Sequence, residues 1–214
     1  WRHAALGAIL FAGLCAPVLL LSLVPASAGS CPEDCSEPPP VNIYSHTIAS
    51  HLSPATSGAL SRVYVPNRSS NSVSVIDTET LKEVDRFEVG SKPQHVVPSW
   101  DLNTLWVANN GTGTNGSLTP VDPKTAKPGN QVPVDDPYNM YFMPDGSAAI
   151  VVDEALKQLD VRDPQTMALK STIPTPTCPG INHADFSVDG SYAIFTCEYG
   201  DGGLIKVNFK NHKL

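Results

Sequence analysis

One short segment recurs four times along this chain at a nearly constant interval. Each copy is a run of mostly apolar residues with the pattern of a β-strand, and three of the four copies end in Asn or Asp. The copies begin 42, 44 and 44 residues apart. They are Val63-Tyr-Val-Pro-Asn67, Leu105-Trp-Val-Ala-Asn109, Ala149-Ile-Val-Val-Asp153 and Ala193-Ile-Phe-Thr-Cys197.

Turn residues stand at fixed places around these copies. A second strand-like run follows each copy and ends in Asp or Asn, at Asp77, Asp122, Asp163 and Asn208. An Asp also stands four residues before each of the last three copies, at Asp101, Asp145 and Asp189. The last two of these read Asp-Gly-Ser, which is a strong hairpin signal. Each unit of about 43 residues is therefore predicted to contain four short strands.

A repeat of this length and content predicts an all-β fold, a β-propeller of four-stranded antiparallel blades. One four-stranded sheet of this size cannot bury both of its faces, so neighbouring units must stack. Periods in this range with four strands are typical of propeller blades. The composition agrees, because 20 Pro, 15 Gly and 16% charged residues suit short strands and turns better than helices.

The repeat divides residues 45–214 into about 3.5 to 4 blades. The predicted blades are 45–92, 93–136, 137–178 and 179–214, the last of them incomplete. Four blades could close a ring if Val41–Ile48 supplied the missing strand. The chain begins with Trp1 rather than Met, and its last strand-like run stops at the end of the sequence. We therefore expect a fragment of a larger, seven-bladed ring.

Residues 1–28 have the composition of an export signal. Arg2 and His3 precede a nearly continuous apolar stretch, and Ala26-Ser-Ala28 offers the small residues that signal peptidase requires. Two other interpretations stay open. The apolar stretch is long enough to span a membrane, and Ala28-Gly-Ser-Cys31 is an imperfect lipobox that would place a lipid on Cys31. We predict a cleaved signal peptide over residues 1–28, a Pro- and Cys-containing linker over 29–44, and an extracellular or cell-envelope location.

Three segments of the first unit carry a resemblance to a known family. Val63-Tyr-Val-Pro-Asn67, Ser72-Val-Ser-Val-Ile-Asp77-Thr and Val89-Gly-Ser-Lys-Pro93 resemble the YVTN (YncE-like) family of bacterial secreted and surface β-propellers. The resemblance covers roughly residues 60–209. It implies a propeller, usually of seven blades, and it implies no single activity. Similar propellers include the haem-binding domain of cd-type nitrite reductases and the larger subunit of amine dehydrogenases.

The innermost strand of each blade supplies the candidate functional residues. This strand lines the central channel of a propeller, and its first residues lie near one mouth. His95, Asn139 and His183 stand ten residues before the last three copies, and Tyr141 and Asp185 follow two residues later on the same strand faces. These five residues are the predicted ligand-binding cluster at the channel mouth.

His95 and His183 are also candidate metal ligands. Neutral imidazole suits copper, zinc and iron, so copper or haem is a conceivable cofactor, although the sequence requires none. The alternative is that polar side chains face the channel because it holds water. Two His with no clear third ligand are a weak metal signature.

The hairpin predicted at Asp189-Gly190 brings Cys178 close to Cys197. A disulfide between them is feasible and would persist in an oxidising compartment. The alternative is a pair of thiolates beside His183, which would form a soft copper site. We predict the disulfide.

No catalytic set is complete, since Ser, His and Asp occur without a nucleophile elbow or other triad context. We therefore expect a non-enzymatic binding or scaffold module at the cell envelope, with a protein or small-molecule partner. The alternative is a metal- or haem-dependent redox protein with a site at His95 and His183. The net charge of −7 argues against a nucleic-acid partner. A lipid on Cys31 is the route we expect for any membrane association.

Overall fold

The computed structural model describes residues 51–210, which belong to one compact unit, Thr47–Leu214. Several sequence predictions lie outside the described residues. These are the signal peptide at 1–28, the linker at 29–44 with Cys31, and the strand proposed at Val41–Ile48.

Short β-strands make up most of the described chain, and a 3-10 turn at Pro54–Thr56 precedes them. The strands are β1 (Arg62–Asn67), β2 (Ser72–Asp77), β3 (Glu83–Glu88), β4 (Pro93–Pro98), β5 (Leu105–Asn109), β6 (Ser117–Asp122), β7 (Lys127–Pro128), β8 (Val132–Pro133), β9 (Pro137–Phe142), β10 (Ala149–Asp153), β11 (Gln158–Arg162), β12 (Leu169–Pro174), β13 (Ile181–Phe186), β14 (Tyr192–Cys197) and β15 (Gly203–Asn208).

The strands form four antiparallel sheets in chain order, which we call sheets 1 to 4. Sheet 1 is β1–β3, sheet 2 is β4–β8, sheet 3 is β9–β12 and sheet 4 is β13–β15. Sheet 3 has all four strands of a blade, in the order β9-β10-β11-β12. The all-β prediction and the prediction of a partial β-propeller are confirmed.

The other sheets depart from the ideal blade in specific ways. The fourth strand of sheet 2 is divided into β7 and β8, which end in Pro128 and Pro133. Proline cannot donate a ladder hydrogen bond, so it is tolerated at such an edge. Within residues 51–210, sheet 1 has no innermost strand and sheet 4 has no outermost strand. The four copies of the repeated segment are the second strands, β1, β5, β10 and β14.

The apolar core lies between neighbouring sheets. Val73 and Val107 are among the residues buried between sheets 1 and 2. Val151 of β10 is buried toward sheet 2, whereas its neighbour Ile150 is buried toward Phe195 of sheet 4. Successive residues of a strand point to opposite faces, so a strand with a sheet on each side must be apolar on both. The continuous apolar run Ile150-Val-Val152 follows from this position.

A side-chain hydrogen bond closes the end of the second strand in sheets 1 and 2. Nδ2 of Asn67 donates to Oγ of Ser74 on the third strand at 2.9 Å. Nδ2 of the fully buried Asn109 donates to Oγ of Ser117 at 3.1 Å and to Oγ1 of Thr119 at 2.8 Å. Buried amides need such partners, because an unpaired buried donor costs about 1–3 kcal/mol.

Sheet 3 has Asp153 at the position of Asn109. Asp153 is fully buried and accepts a 2.9 Å hydrogen bond from Gln158. Asp160, at the position of Thr119, forms a buried ion pair with Arg162 at 2.6 Å. Burial, and next the charge of Asp160, raise the pKa of Asp153 to about 9. Asp153 is therefore protonated at neutral pH, and in that form it resembles the amide it replaces.

Sheet 4 has Cys197 at the same position. Its partners on the third strand would be Gly203 and Ile205, which offer no polar side chain. Cys197 is instead joined to Cys178 by a disulfide, with the two Cα atoms 5.0 Å apart. The disulfide predicted from the sequence is thus present. It is compatible with an exported protein.

The raised pKa of Asp153 predicts a specific pH dependence of stability. In the unfolded chain Asp153 ionises near its ordinary pKa of 3.8, whereas in the folded chain it stays protonated up to about 9. The free energy of unfolding therefore loses up to about 1.4 kcal/mol per pH unit from this group as pH rises between these values. Asp153→Asn removes this loss, so its stability relative to the wild type should rise between pH 5 and pH 8. Denaturant unfolding at several pH values measures the difference.

Asn109→Asp is the matched reciprocal variant. It buries a new carboxyl group between Ser117 and Thr119, so its stability relative to the wild type should fall over the same pH range. A constant difference between Asp153→Asn and the wild type from pH 5 to pH 8 would contradict the prediction.

Candidate functional site

The innermost strands β4, β9 and β13 each begin with an irregular residue pair. The ladder between β4 and β5 is regular from His95 onward and shifts between Pro93 and His95. Equivalent shifts occur opposite Asp153 in sheet 3 and between Ile181 and Ala184 in sheet 4. Such bulges break the strict alternation of side chains and change the direction in which a side chain points.

Three aromatic rings from three successive sheets meet beside these bulges. We call His95, Tyr138 and His183 the aromatic cluster. The ring centroids of His95 and His183 are 5.4 Å apart, and the Tyr138 ring lies 5.2 Å from His95 and 6.0 Å from His183. All three pairs are edge-to-face, which is a favoured arrangement of aromatic rings. His183 is exposed and the other two are half-buried, so the cluster reaches the surface.

The cluster favours a neutral His95. Burial lowers the pKa of His95 below its ordinary value, and the neighbouring His183 lowers it further. Desolvation and a second imidazolium both disfavour the charged ring. His95 is therefore a neutral imidazole at neutral pH, able to accept or donate one hydrogen bond.

The structure brings two of the five predicted cluster residues together, His95 and His183. Asn139 is buried, and its Nδ2 donates to Oη of Tyr141 at 3.0 Å. Oη of Tyr141 accepts the backbone N–H of Ala184 at 2.9 Å, and its ring packs on Phe195. Asn139 and Tyr141 thus link the innermost strands of sheets 3 and 4. The exposed Asp185 accepts the backbone N–H of Phe186.

Tyr138 was not among the residues predicted from the sequence. In the ladder, Asn139 pairs with Val152 as His95 pairs with Ala108, so the spacing of ten residues located equivalent backbone positions correctly. The side chain that reaches the two imidazoles is nevertheless that of the preceding residue. Tyr138 is the residue that the ladder skips between Pro137 and Asn139, and a period-two pattern gives no signal for the direction of such a side chain.

Asn182 holds the backbone beside His183. Its Oδ1 accepts the His183 backbone N–H at 2.6 Å and the hydroxyl of Thr196. Its Nδ2 donates to Oε2 of Glu198 at 2.7 Å. The disulfide ends at Cys197, between Thr196 and Glu198. The backbone of His183 is therefore held by a hydrogen-bond network next to the disulfide, and such preorganisation favours binding.

The residues present do not form a complete metal centre by themselves. Within residues 51–210, no group of three or more His, Cys, Asp or Glu side chains is arranged to hold a metal ion. The two cysteines near His183 are consumed in the disulfide, so the alternative of a thiolate copper site at this place is excluded. His95 and His183 could each offer one imidazole to a metal or a haem iron whose other ligands come from elsewhere.

Surface clefts lie at the other ends of the innermost strands. One, of about 260 Å³, is formed by the turns around Asp145 and Asp189. The side chain of Asp189 is occupied in its own turn, accepting the Ser187 hydroxyl at 2.7 Å and the Ser191 backbone N–H at 3.0 Å. These clefts have turn residues as their walls, and we assign them no chemistry. Between residues 51 and 210, no helix has the length and apolarity to cross a membrane.

Comparison with protein families identifies the class of protein that these features define. The chain matches the family described as YNCE-like beta-propeller over residues 21–212. The match covers most of the chain, so the chain belongs to this family. The resemblance noted in the first repeat unit is confirmed. No curated protein matches the chain.

Solved structures show the same fold in larger proteins. Hydrazine synthase of Kuenenia stuttgartiensis is similar with a TM-score of 0.60 and 22% identity, over 71% of this chain and 44% of that one. The dihydro-heme d1 dehydrogenase NirN, in complex with DHE, is similar with a TM-score of 0.54 and 18% identity, over 72% of this chain and 33% of that one. At these identities the likeness concerns the fold alone. The chain spans less than half the length of either structure.

The aromatic cluster predicts an unusual titration of His95. Its pKa, measured from the pH dependence of its Cε1–H NMR signal, should lie below the ordinary value of 6.5. His183→Asn removes one cause, the electrostatic influence of the neighbouring His183 ring, so the pKa of His95 should rise toward 6.5. Tyr138→Ala exposes the His95 ring to water and should therefore also raise the pKa of His95. Asp185→Asn, on the strand of His183, is the control and should leave the pKa unchanged. A wild-type pKa at or above 6.5 would contradict this geometry.

Proposed function

We propose that this chain is part of an exported, ligand-binding β-propeller of the cell envelope, with its binding surface at the aromatic cluster. One observation carries the proposal, namely that His95, Tyr138 and His183 converge from three successive sheets on a partly exposed surface. Binding sites that are assembled from several structural elements in this way are common at channel mouths and between elements.

The comparison with Tyr141 supports a binding role. Tyr141 packs on Phe186 and Phe195 and uses its hydroxyl between two strands, so its role is structural. No ring of the aromatic cluster belongs to the apolar cores between the sheets. The described part of the chain places no hydrogen bond on the Tyr138 hydroxyl or the His95 ring. These polar groups are therefore free to contact a ligand.

The export component rests on other observations. Residues 1–28 have the composition of a signal peptide, and disulfides form and persist mainly in oxidising compartments. A lipid on Cys31 would add a membrane anchor.

A haem- or copper-dependent redox protein is the second candidate. The observation that favours it is the neutral state of His95, because the neutral imidazole is the form that binds metals. NirN, one of the structural neighbours, is named for a haem d1 compound. When bound, such a group would supply electron transfer, and His95 or His183 would hold it through an imidazole nitrogen.

The export proposal predicts the mass of the mature chain. Full-length chain with an added initiating Met, produced in a bacterium, should be recovered outside the cytoplasm with Gly29 as its first residue. A mature chain that begins at a lipid-carrying Cys31 would also support export and would show the anchor. Mass spectrometry of the cell fractions distinguishes these products. Ala28→Arg, which blocks the small-residue site, is the control and should yield uncleaved chain. An intact wild-type chain found only in the cytoplasm would refute export.

The binding proposal predicts where ligands contact the protein. We would titrate the purified chain with acetate, phosphate, glucose, indole, choline and hemin and follow the Cε1–H NMR signals of His95 and His183. At least one probe should shift both signals, and Tyr138→Leu should weaken that probe about tenfold by removing a contact surface. Tyr192→Leu, at the opposite end of β14, is the matched control. If hemin binding produces a new absorption band, and this band is lost in His95→Gln or His183→Gln, the result would favour the redox candidate. Probes that bind without moving either signal would overturn the proposal.

A further inference from the structure

Two glutamates stand at equivalent positions beside the aromatic cluster. Glu154 follows the last residue of β10, and Glu198 follows the last residue of β14. They lie at the same end of their sheets as the starts of β9 and β13, because the second strand runs antiparallel to the first. Neighbouring sheets therefore present two carboxylates at the edge where the rings of Tyr138 and His183 meet.

Each carboxylate is held in place by a specific contact. Oη of Tyr199 donates to Oε1 of Glu154 at 3.2 Å. The Tyr199 ring lies directly over Gly180, where an added Cβ would be 2.6 Å from the ring. Nδ2 of Asn182, the neighbour of His183, donates to Oε2 of Glu198. The two carboxylates are thus tied to the same loops that position the aromatic cluster.

The negative charge at this place is poorly compensated. None of the lysine and arginine ion pairs found within residues 51–210 includes Glu154 or Glu198. Burial raises the pKa of Glu154, the charge of Glu198 contributes in the same direction, and Arg68 is the weakest of the influences on it. Burial also raises the pKa of Tyr138, to which the charges of Glu154 and Glu198 add. The carboxylates therefore act electrostatically on the aromatic cluster.

We propose that the aromatic cluster and the carboxylates of Glu154 and Glu198 together bind a small organic cation, a quaternary or alkyl ammonium group. The proposal rests on the proposed function and names the ligand class of the same surface. The aromatic face of Tyr138 attracts cations and tolerates methyl groups, the neutral His95 ring adds contact surface, and the two carboxylates supply the charge complement. A metal ion is a poorer fit, because within residues 51–210 no three His, Cys, Asp or Glu side chains are grouped to hold one. An anion is disfavoured by the two carboxylates.

Choline and its neutral isostere 3,3-dimethyl-1-butanol test the proposal in the wild-type chain. The two molecules have nearly the same shape, so a difference in affinity reports the contribution of the positive charge. Choline should bind about tenfold more tightly than the isostere at pH 7.5, measured by calorimetry, and should shift the NMR signals of His95 and His183. Equal affinities, or choline binding without a shift of these signals, would overturn the proposal.

Glutamine variants test whether Glu154 and Glu198 supply the negative charge that favours choline. Glu154→Gln combined with Glu198→Gln should reduce choline affinity about fivefold or more and leave the isostere unaffected. Glu88→Gln removes the same charge from the exposed face of β3 and should change neither affinity. Unchanged choline affinity in a double variant with wild-type unfolding temperature would refute the role of the carboxylates. If choline fails but acetate, phosphate, glucose, indole or hemin shifts both His signals, the inference falls and the proposed function stands.

Discussion

In each sheet, the residue that ends the second strand needs a partner at the edge that carries the candidate site. In sheets 1 to 3 the third strand supplies this partner through a side-chain contact. Asn67 and Asn109 make this contact with an amide that donates to hydroxyl groups. Asp153 makes it with a protonated carboxyl group, and Cys197 is held by a disulfide instead. The same backbone position is therefore closed by three different chemistries. Since the next residue in the chain is Glu154 or Glu198 in sheets 3 and 4, each closure also fixes the start of a loop in the candidate site.

This contact also limits the space around it. A Cβ at Gly90 would lie 2.3 Å from Oγ of Ser117 and 2.8 Å from the Asn109 side chain, so only glycine fits. The position equivalent to Gly90 in sheet 4 is Cys178, two repeats of 44 residues further along the chain. There the side chain does not clash, because it forms the disulfide with Cys197. The edge of these sheets that carries the candidate site, which we call the site edge, is therefore closely packed. Close packing there holds the start of the neighbouring innermost strand, and with it the bulge that orients His95, Tyr138 or His183.

Most of the fold could be predicted from the sequence, because the repeat allows each strand to be aligned with its counterparts in the other units. The spacing of the copies located β1, β5, β10 and β14, and the Asp-Gly pairs located turns in which Gly146 and Gly190 have φ of 73° and 65°. The Cys178–Cys197 bond also followed from the predicted hairpin. The site was predicted less completely. Tyr138 is the residue that the register shift at the start of β9 leaves out of the ladder, and no residue pattern marks this shift, so Tyr138 could not be found from spacing.

The repeat also separates the residues that build the sheets from those that form the candidate site. Equivalent positions within the sheets carry similar residues, such as the buried Val73, Leu118 and Leu159, which are the second residues of β2, β6 and β11. The first residue after the second strand varies along the chain, from Arg68 to Asn110 and then to Glu154 and Glu198. A propeller can vary such positions at little cost to stability, because they are loop residues at the sheet edge. Function is carried by sites placed on a fold rather than by the fold itself. The two glutamates lie in neighbouring sheets, beside His183 and Tyr138. Negative charge is therefore concentrated at one place, and this distinguishes the candidate site from the equivalent positions of the other sheets.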